Sequence, residues 1–295
     1  MERQYEAVRS CTADHLGSVR EACRYLSVSP SAYYKWMSGN SSQRIQENKH
    51  IASLIEKIHM DSPDKGHRRI HDDLERFHNI HSNDKRILRI CRSLGIQSTV
   101  KFYPAGCTRH AKTPQHYAEN ILNREFHAEK PDEKWLTDVT EFKYYEGPRV
   151  KKVYLSAILD LYDRRIVSFV IRDTNDNKLV FDTFAKAVQS NPDAPPIFHS
   201  DRGFQYTNRY FYQRLVNAGM TQSMSRVGRC VDNGPMEGFW GILKRERYYG
   251  RRFTNRAELV KMIRSYIHYY NTKRLQRNLG VLTPMEKHDL YLKAA

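Results

Sequence analysis

The chain has no apolar run approaching the roughly 18 residues that a membrane span needs, and its opening MERQYEAVRS carries charge from the second residue with no apolar segment behind it. Neither a membrane segment nor a secretory leader is expected. The five cysteines (Cys11, Cys23, Cys91, Cys107, Cys230) are odd in number, scattered and never in a C-x-x-C pair. That argues against a disulfide framework and for reduced thiols in the cytoplasm, beside the nucleoid if the partner is DNA. No G-x-S-x-G elbow and no P-loop occurs, so serine-nucleophile and nucleotide-driven chemistry lack their usual scaffolds. Zipper heptads and internal repeats are missing too. Acidic residues are scarce, 33 against 49 lysines and arginines, for a net charge of +16. Such a surplus favours polyanionic partners, nucleic acid first. What is plentiful is buryable surface: 40% of the 295 residues are hydrophobic and 12% aromatic, enough for a folded protein of about two domains.

The charge is uneven. Residues 1–130 carry 21 basic and 15 acidic side chains, 131–220 carry 13 and 12, and 221–295 carry 15 and 6. A nearly neutral middle between basic flanks suggests a packed core gripped by phosphate-holding surfaces. In SVREACRYLSVSPSAYYKWM (18–37) a short amphipathic stretch is followed by a turn, then Ser29 as N-cap with Pro30 behind it. This is helix-turn-helix spacing, with Ser31, Tyr34 and Lys35 facing DNA; an ordinary helical hairpin is the alternative. A second helical segment has Ile51, Leu54, Ile55 and Ile58 at helical spacing, and Asn83 or Asp84 then caps a helix with Ile87, Leu88, Cys91 and Leu94 inward, ended by Gly95. Its outward residues Lys85, Arg86, Arg89 and Arg92 are expected along a phosphate backbone. The histidines His67, His71, His78 and His81 with Cys91 and Cys107 lack the close cysteine pair of structural zinc sites.

From residue 135 the period changes. WLTDVTEFKYY, VKKVYLSAILDLY and RRIVSFVIRD read as three strands, then come a helix through Leu179, Phe184 and Val188, the strand PIFHS, a helix near 207–218, a strand at Gln222 to Met224 and a helix from Pro235. The order βββαβαβα predicts an α/β fold, a mixed five-stranded sheet with flanking helices, preceded by all-α segments. Domains are expected at 1–46 (helix-turn-helix-like), 47–112 (second helical, DNA-binding), 131–250 (catalytic core) and 251–295 (basic helical extension), with a linker at 113–130.

Asp138 lies inside the first of those strands, Asp201 just after the fourth, and Glu237 in the first turns of the last helix. If strands one and four are neighbours the two aspartates converge and Glu237 reaches them. Three converging carboxylates repel unless a divalent cation is present, and oxygen-only ligands select Mg²⁺ or Mn²⁺. Two such ions would serve phosphodiester chemistry. Lys244, two helical turns beyond Glu237, is expected to hold a DNA phosphate. Asp160 reads as a strand-end acid paired with Arg164 or Arg165 rather than a fourth metal ligand, and His199 as either a buried satisfied histidine or an orienting group. Gly203, Gln205 and Tyr206 are expected to shape a turn and touch DNA, and Asp232 and Asn233 to cap the Glu237 helix. Farther on, Leu259, Met262, Ile263, Tyr266, Ile267 and Tyr270 form a helical core stripe, and Arg245, Arg247, Arg251, Arg252, Arg256, Lys273, Arg274 and Arg277 a DNA-facing or partner-facing surface.

The stretches WLTDVTEF, HSDRGFQY and SRVGRCVDNGPMEGFWGILKRE resemble the three signature segments of insertion-sequence transposases with a retroviral-integrase-like core. CRYLSVSPSAYYKW, KGHRRIHDDL and YYNTKRLQRNLGVLTPMEK extend the resemblance over nearly the whole chain, and narrow it to the catalytic subunit of the IS-three family. The resemblance implies an RNase H-like fold and metal-dependent DNA strand cleavage and transfer by Asp138, Asp201 and Glu237, with Lys244 as the family's basic residue. It also implies recognition of terminal inverted repeats and target DNA, a homo-oligomeric synaptic complex, and fusion or association with an upstream helix-turn-helix and zipper protein; this chain looks like the downstream reading frame alone. Arg68 and Arg69 of KGHRRIHDDL are expected on DNA. Departures are His67 for a usual tyrosine, Trp240 for a usual phenylalanine, Gly238 for a larger residue, and Gln276 to Asn278 in place of a His-containing motif; none is expected to touch the triad. A nuclease that cuts without joining and a catalytically inactive DNA-binding regulator are the alternative functions.

Overall fold

The computed structural model describes residues 2–14, 17–38, 43–100 and 116–294; Cys107 and the first part of the expected linker lie outside the described residues. Helices α1 (Glu2–Ala13), α2 (Val19–Tyr25) and α3 (Pro30–Met37) pack around Val8, Cys23 and Tyr33. Ser18 and Glu21 form a reciprocal capping box at the start of α2, whereas Ser29 makes no side-chain cap and Pro30 alone pre-sets the start of α3. Helix α4 (Gln43–Asp61) crosses the expected boundary at 46, and with α5 (His67–His78) and α6 (Asp84–Ser93) it buries Ile51, Ile55, Ile70, Leu74, Ile87, Ile90 and Cys91. Of the residues read as inward on α6, Leu88 and Leu94 are half-buried at the rim while Ile90 takes a central place. Asn83 is the cap, accepting from Lys85 N at 2.8 Å.

Strands β1 (Lys134–Glu146), β2 (Arg149–Asp160) and β3 (Ile166–Arg172) form the antiparallel meander. Gly147, at φ +59°, supplies the left-handed residue of the β1–β2 hairpin. Helix α7 (Asn177–Ser190) crosses to β4 (Ile197–Ser200), and α8 (Arg209–Asn217) to β5 (Thr221–Met224). The sheet order β3-β2-β1-β4-β5 sets β4 parallel beside β1. On one face Trp135 and Phe198 of the sheet pack against Phe184 of α7 and Phe211 and Leu215 of α8. Against the other pack α9 (Gly234–Leu243) and α10 (Arg256–Thr272), whose Leu259, Ile263, Tyr266, Ile267 and Tyr270 share one apolar cluster with Leu136, Phe142, Leu155, Phe239 and Leu243. Residues on either side of 250 therefore build a single core. Helix α11 (Pro284–Ala294) ends the described chain. Among the described residues no helix is long and apolar enough to cross a membrane.

Candidate active site

Strand alternation decides which way Asp138 faces. Even-numbered Leu136, Phe142 and Tyr144 join the cluster under α9 and α10, and odd-numbered Trp135 and Val139 the opposite one. Asp138 falls on the α9 side. The parallel register Leu136↔His199, carried two residues on, brings Asp138 level with Asp201 at the end of β4. Glu237 comes from the first turn of α9, behind Pro235. The three acids feel one another: burial and then Asp201, with a further push from Glu237, raise Asp138 to about 8, and burial followed by Asp201 raises Glu237. Asp138 and Asp201 are partly exposed and Glu237 is exposed, so solvent and substrate reach the site.

Backbone and side-chain donors hold these acids. Val139 N donates to Asp138 Oδ1 at 2.7 Å, and the indole Nε1 of Trp240 donates to Asp138 Oδ2 at 3.0 Å. The expectation that no family departure touches the triad is therefore corrected at Trp240, because an indole carries a donor that phenylalanine lacks. Gly203 N donates to Asp201 Oδ1 at 2.9 Å. A Cβ on Gly203 would stand 3.0 Å from that oxygen and 3.2 Å from Gln205 Oε1. Gly203→Ala is expected to turn the Asp201 carboxylate by a few tenths of an ångström and so to weaken whatever activity depends on it, with little change in melting temperature; activity equal to wild type would contradict it.

The cap read at Asp232 is corrected. Asp232 is fully buried and receives Arg226 N, Nε and Nη2, Arg124 Nε and Asn120 Nδ2, so it pins the 116–126 strap to the loop that leads into α9. Asn233 does stand at the N-cap of α9, but its side chain makes no cap hydrogen bond; its Nδ2 donates instead to Thr137 O at 3.0 Å, beside Asp138, and fastens the start of the Glu237 helix to β1. Tyr206 and Gln205 are buried, with the Tyr206 hydroxyl against Thr137 Oγ1 and Gln205 Nε2 donating to Asn175, so they shape the turn but cannot reach DNA. Asp160 is buried at the far end of β2, accepts from the backbone N–H of Asp132 and Tyr162, and lies 3.9 Å from Arg165, as a strand-end acid does.

His199 is fully buried between the hydroxyls of Ser223 and Ser225, and burial lowers it to about 4. Its folded value lies below the ordinary 6.5, so it favours folding fully above that pH and progressively less as pH falls from 6.5 toward 4. His199→Gln should flatten the acid limb of a stability-versus-pH curve measured by urea melts; an unchanged limb would contradict this.

Lys244 ends α9 where a π-helical turn (Lys244–Tyr248) begins, and its Nζ lies 5.2 Å from the Phe142 ring centroid. Burial lowers its proton affinity, while Asp138 and Glu141 oppose that shift, so it shares the face of the acids. Arg245 borders a cavity of about 380 Å³ with Arg247, Arg251 and Asp61. Tyr34, Lys35, Arg68, Lys85 and Arg89 are exposed.

Two arginines expected on DNA point elsewhere. Arg86 binds Asn48 and Glu47, and Arg69 is turned inward onto Asp64, Glu246 and the Tyr269 hydroxyl. Much of the C-terminal surplus is likewise spent on carboxylates of this chain: Arg274 grips Glu246, Arg277 grips Asp72 and Asp84, Arg247 pairs with Asp64 and Arg256 with Asp173. The pairs of Arg69 with Glu246, Arg247 with Asp64 and Arg277 with Asp72 and Asp84 bind the α4–α6 unit to the core. Their only sequence signal is acids within basic runs, such as Glu246 in LKRERYY. Among the described residues no three His, Cys, Asp or Glu side chains are already drawn together as a metal cluster.

This fold and its row of acids define an integrase-type core: residues 128–230 and 237–289 match models of the integrase core domain, and residues 46–101 an HTH-like domain. An uncharacterized transposase-like protein of Haemophilus influenzae is 40% identical over 69% of this chain and 91% of its own length. An uncharacterized 31 kDa protein of insertion element IS600 from Shigella sonnei is 32% identical over 92% of this chain and 99% of its own. The InsF transposase of insertion sequence IS3A from Escherichia coli is 28% identical over 90% and 92%. The chain belongs to the IS3 (IS-three) family of insertion-sequence transposases.

Proposed function

We propose that this transposase binds the terminal inverted repeats of its element and catalyses cation-dependent DNA strand cleavage and strand transfer, with Asp138, Asp201 and Glu237 as the catalytic carboxylates. What supports the reading is that Asp138 on β1 lies level with Asp201 at the end of β4, with Glu237 on α9 close enough for the acids to raise the proton affinities of Asp138 and Glu237. Their chemistry fits a hard divalent cation: the donors are all carboxylate oxygens, and positive charge would relieve the repulsion. Two Mg²⁺ or Mn²⁺ ions held there by Asp138, Asp201 and Glu237 would supply charge for the scissile phosphate and for the attacking and leaving oxygens. The chain's own groups do the rest. The Val139 and Trp240 N–H groups orient Asp138, Gly203 N orients Asp201, and Asn233 holds the Glu237 helix against β1. Lys244 holds a phosphate beside the acids.

Tyr34, Lys35, Arg68, Lys85, Arg89 and Arg245 grip double-stranded DNA on either side of the core. Two element ends must meet, which calls for a homo-oligomer, and association with an upstream helix-turn-helix and zipper protein would add recognition of the ends. The test incubates the chain with duplexes made from the DNA flanking its gene, with Mg²⁺ or Mn²⁺, on a denaturing gel. Strands longer than the substrate mark strand transfer. Shorter strands alone would make the protein a nuclease, and binding without either product a regulator.

A further inference from the structure

Trp240 carries a ring N–H donor that a phenylalanine lacks, and that donor is in use. The side chain is 6% exposed, and its Nε1 lies 3.0 Å from Asp138 Oδ2. It stands three residues after Glu237, close to one helical turn. A carboxylate swivels broadly about its terminal torsion. Here one oxygen is held by Val139 N from β1 and the other by an indole from α9, so the plane of the carboxylate is set by two elements at once. Each oxygen has two lone pairs, and one hydrogen bond apiece leaves the second for a cation. A phenylalanine would leave Oδ2 to rotate.

We propose that Trp240 is a positioning residue that orients the Asp138 carboxylate for divalent-cation binding and ties it to the helix of Glu237, so that Mg²⁺ affinity depends on the indole N–H. The inference rests on the reading of Asp138, Asp201 and Glu237 as the cation-holding acids. Donors behind a ligand typically govern metal affinity by about 10- to 100-fold. Mg²⁺, which demands near-ideal octahedral geometry, should suffer more than Mn²⁺ when the carboxylate is loosened.

The experiment measures Mn²⁺ binding to the full chain by the electron paramagnetic resonance of free Mn²⁺, with Mg²⁺ as competitor, so the readout is independent of catalysis. Trp240→Phe is compared with wild type and with a chain carrying benzothienylalanine at 240, which keeps the bicyclic shape and removes only the N–H. Both changes are expected to weaken Mg²⁺ about tenfold or more and Mn²⁺ less, and to raise the Mg²⁺ concentration for half-maximal strand cleavage by the same factor, with the rate at saturating Mg²⁺ largely recovered. Unchanged Mg²⁺ and Mn²⁺ affinities in the benzothienyl chain would overturn the inference. Asp138→Asn separates the two failures. If it abolishes Mn²⁺ binding while the Trp240 changes leave binding intact, only the role of Trp240 falls; if Asp138→Asn also binds Mn²⁺ normally, the cation-site reading falls with it.

Discussion

Glu237→Gln is expected to reduce cation-dependent strand cleavage and joining by roughly 10³-fold or more while DNA affinity stays within about twofold, as for a group that acts on the transition state rather than on ground-state binding. Glutamine keeps the shape and the exposed place of Glu237 on α9 but removes the negative charge that burial and Asp201 already press upon. Fewer negative charges also mean less repulsion, so the folded chain should be no less stable. Gel-shift titration beside a denaturing cleavage gel checks both halves. Cleavage retained in Glu237→Gln would remove this residue from the catalytic set, and loss of DNA binding would assign it to the DNA surface instead.

Glu246→Ala should be the most damaging change to stability, about 3–5 kcal/mol, the cost of stripping one partner from a buried ion-pair network. The Glu246 side chain is 7% exposed; its carboxylate takes Arg274 through Nε and Nη2, Arg69 through Nη1 and the hydroxyl of Tyr266. Arg274 is itself mostly shielded, its side chain 12% exposed, and Glu246 holds its proton affinity above the ordinary arginine value against the pull of burial. Without Glu246, Arg274 keeps no carboxylate that the structure pairs with it, while Arg69 still has Asp64. The α4–α6 unit would then be tied to the core chiefly through Arg247, Arg76 and Arg277. Calorimetry should record a Tm lower by on the order of 10 °C, with the helical unit melting apart from the core. A loss under about 1 kcal/mol would mean that the network is screened as an exposed one is. In a double-mutant cycle, Glu246→Ala and Arg274→Ala should be non-additive, as contacting charges are.

What could be read in advance was local. The Pro30 start of α3, the alternation in WLTDVTEF and the Gly147-Pro148 turn each lie within a few residues, so propensity and period sufficed to order the elements. Asp138 was conspicuous because a strand interior rarely holds an acid. Arginine partners were not legible, since charge alone does not say whether Arg69 or Arg277 meets a phosphate or a carboxylate some 200 residues away. Asp232 misled for a related reason: an acid just before a helix suggests a cap, and only the approach of Arg226 and Arg124 makes it a bolt for the loop instead.

The sequence by itself therefore determined the order of strands and helices and the family, and singled out three candidate acids, because these depend on residue type and spacing along the chain. Tertiary structure alone decided that β4 lies beside β1, that α10 completes the same core, that the basic surplus is partly consumed in binding the helical unit to that core, and that Trp240 donates to Asp138. Those are matters of which distant groups meet, and a hydrogen bond or ion pair depends on separations of a few ångströms that no spacing along the chain encodes.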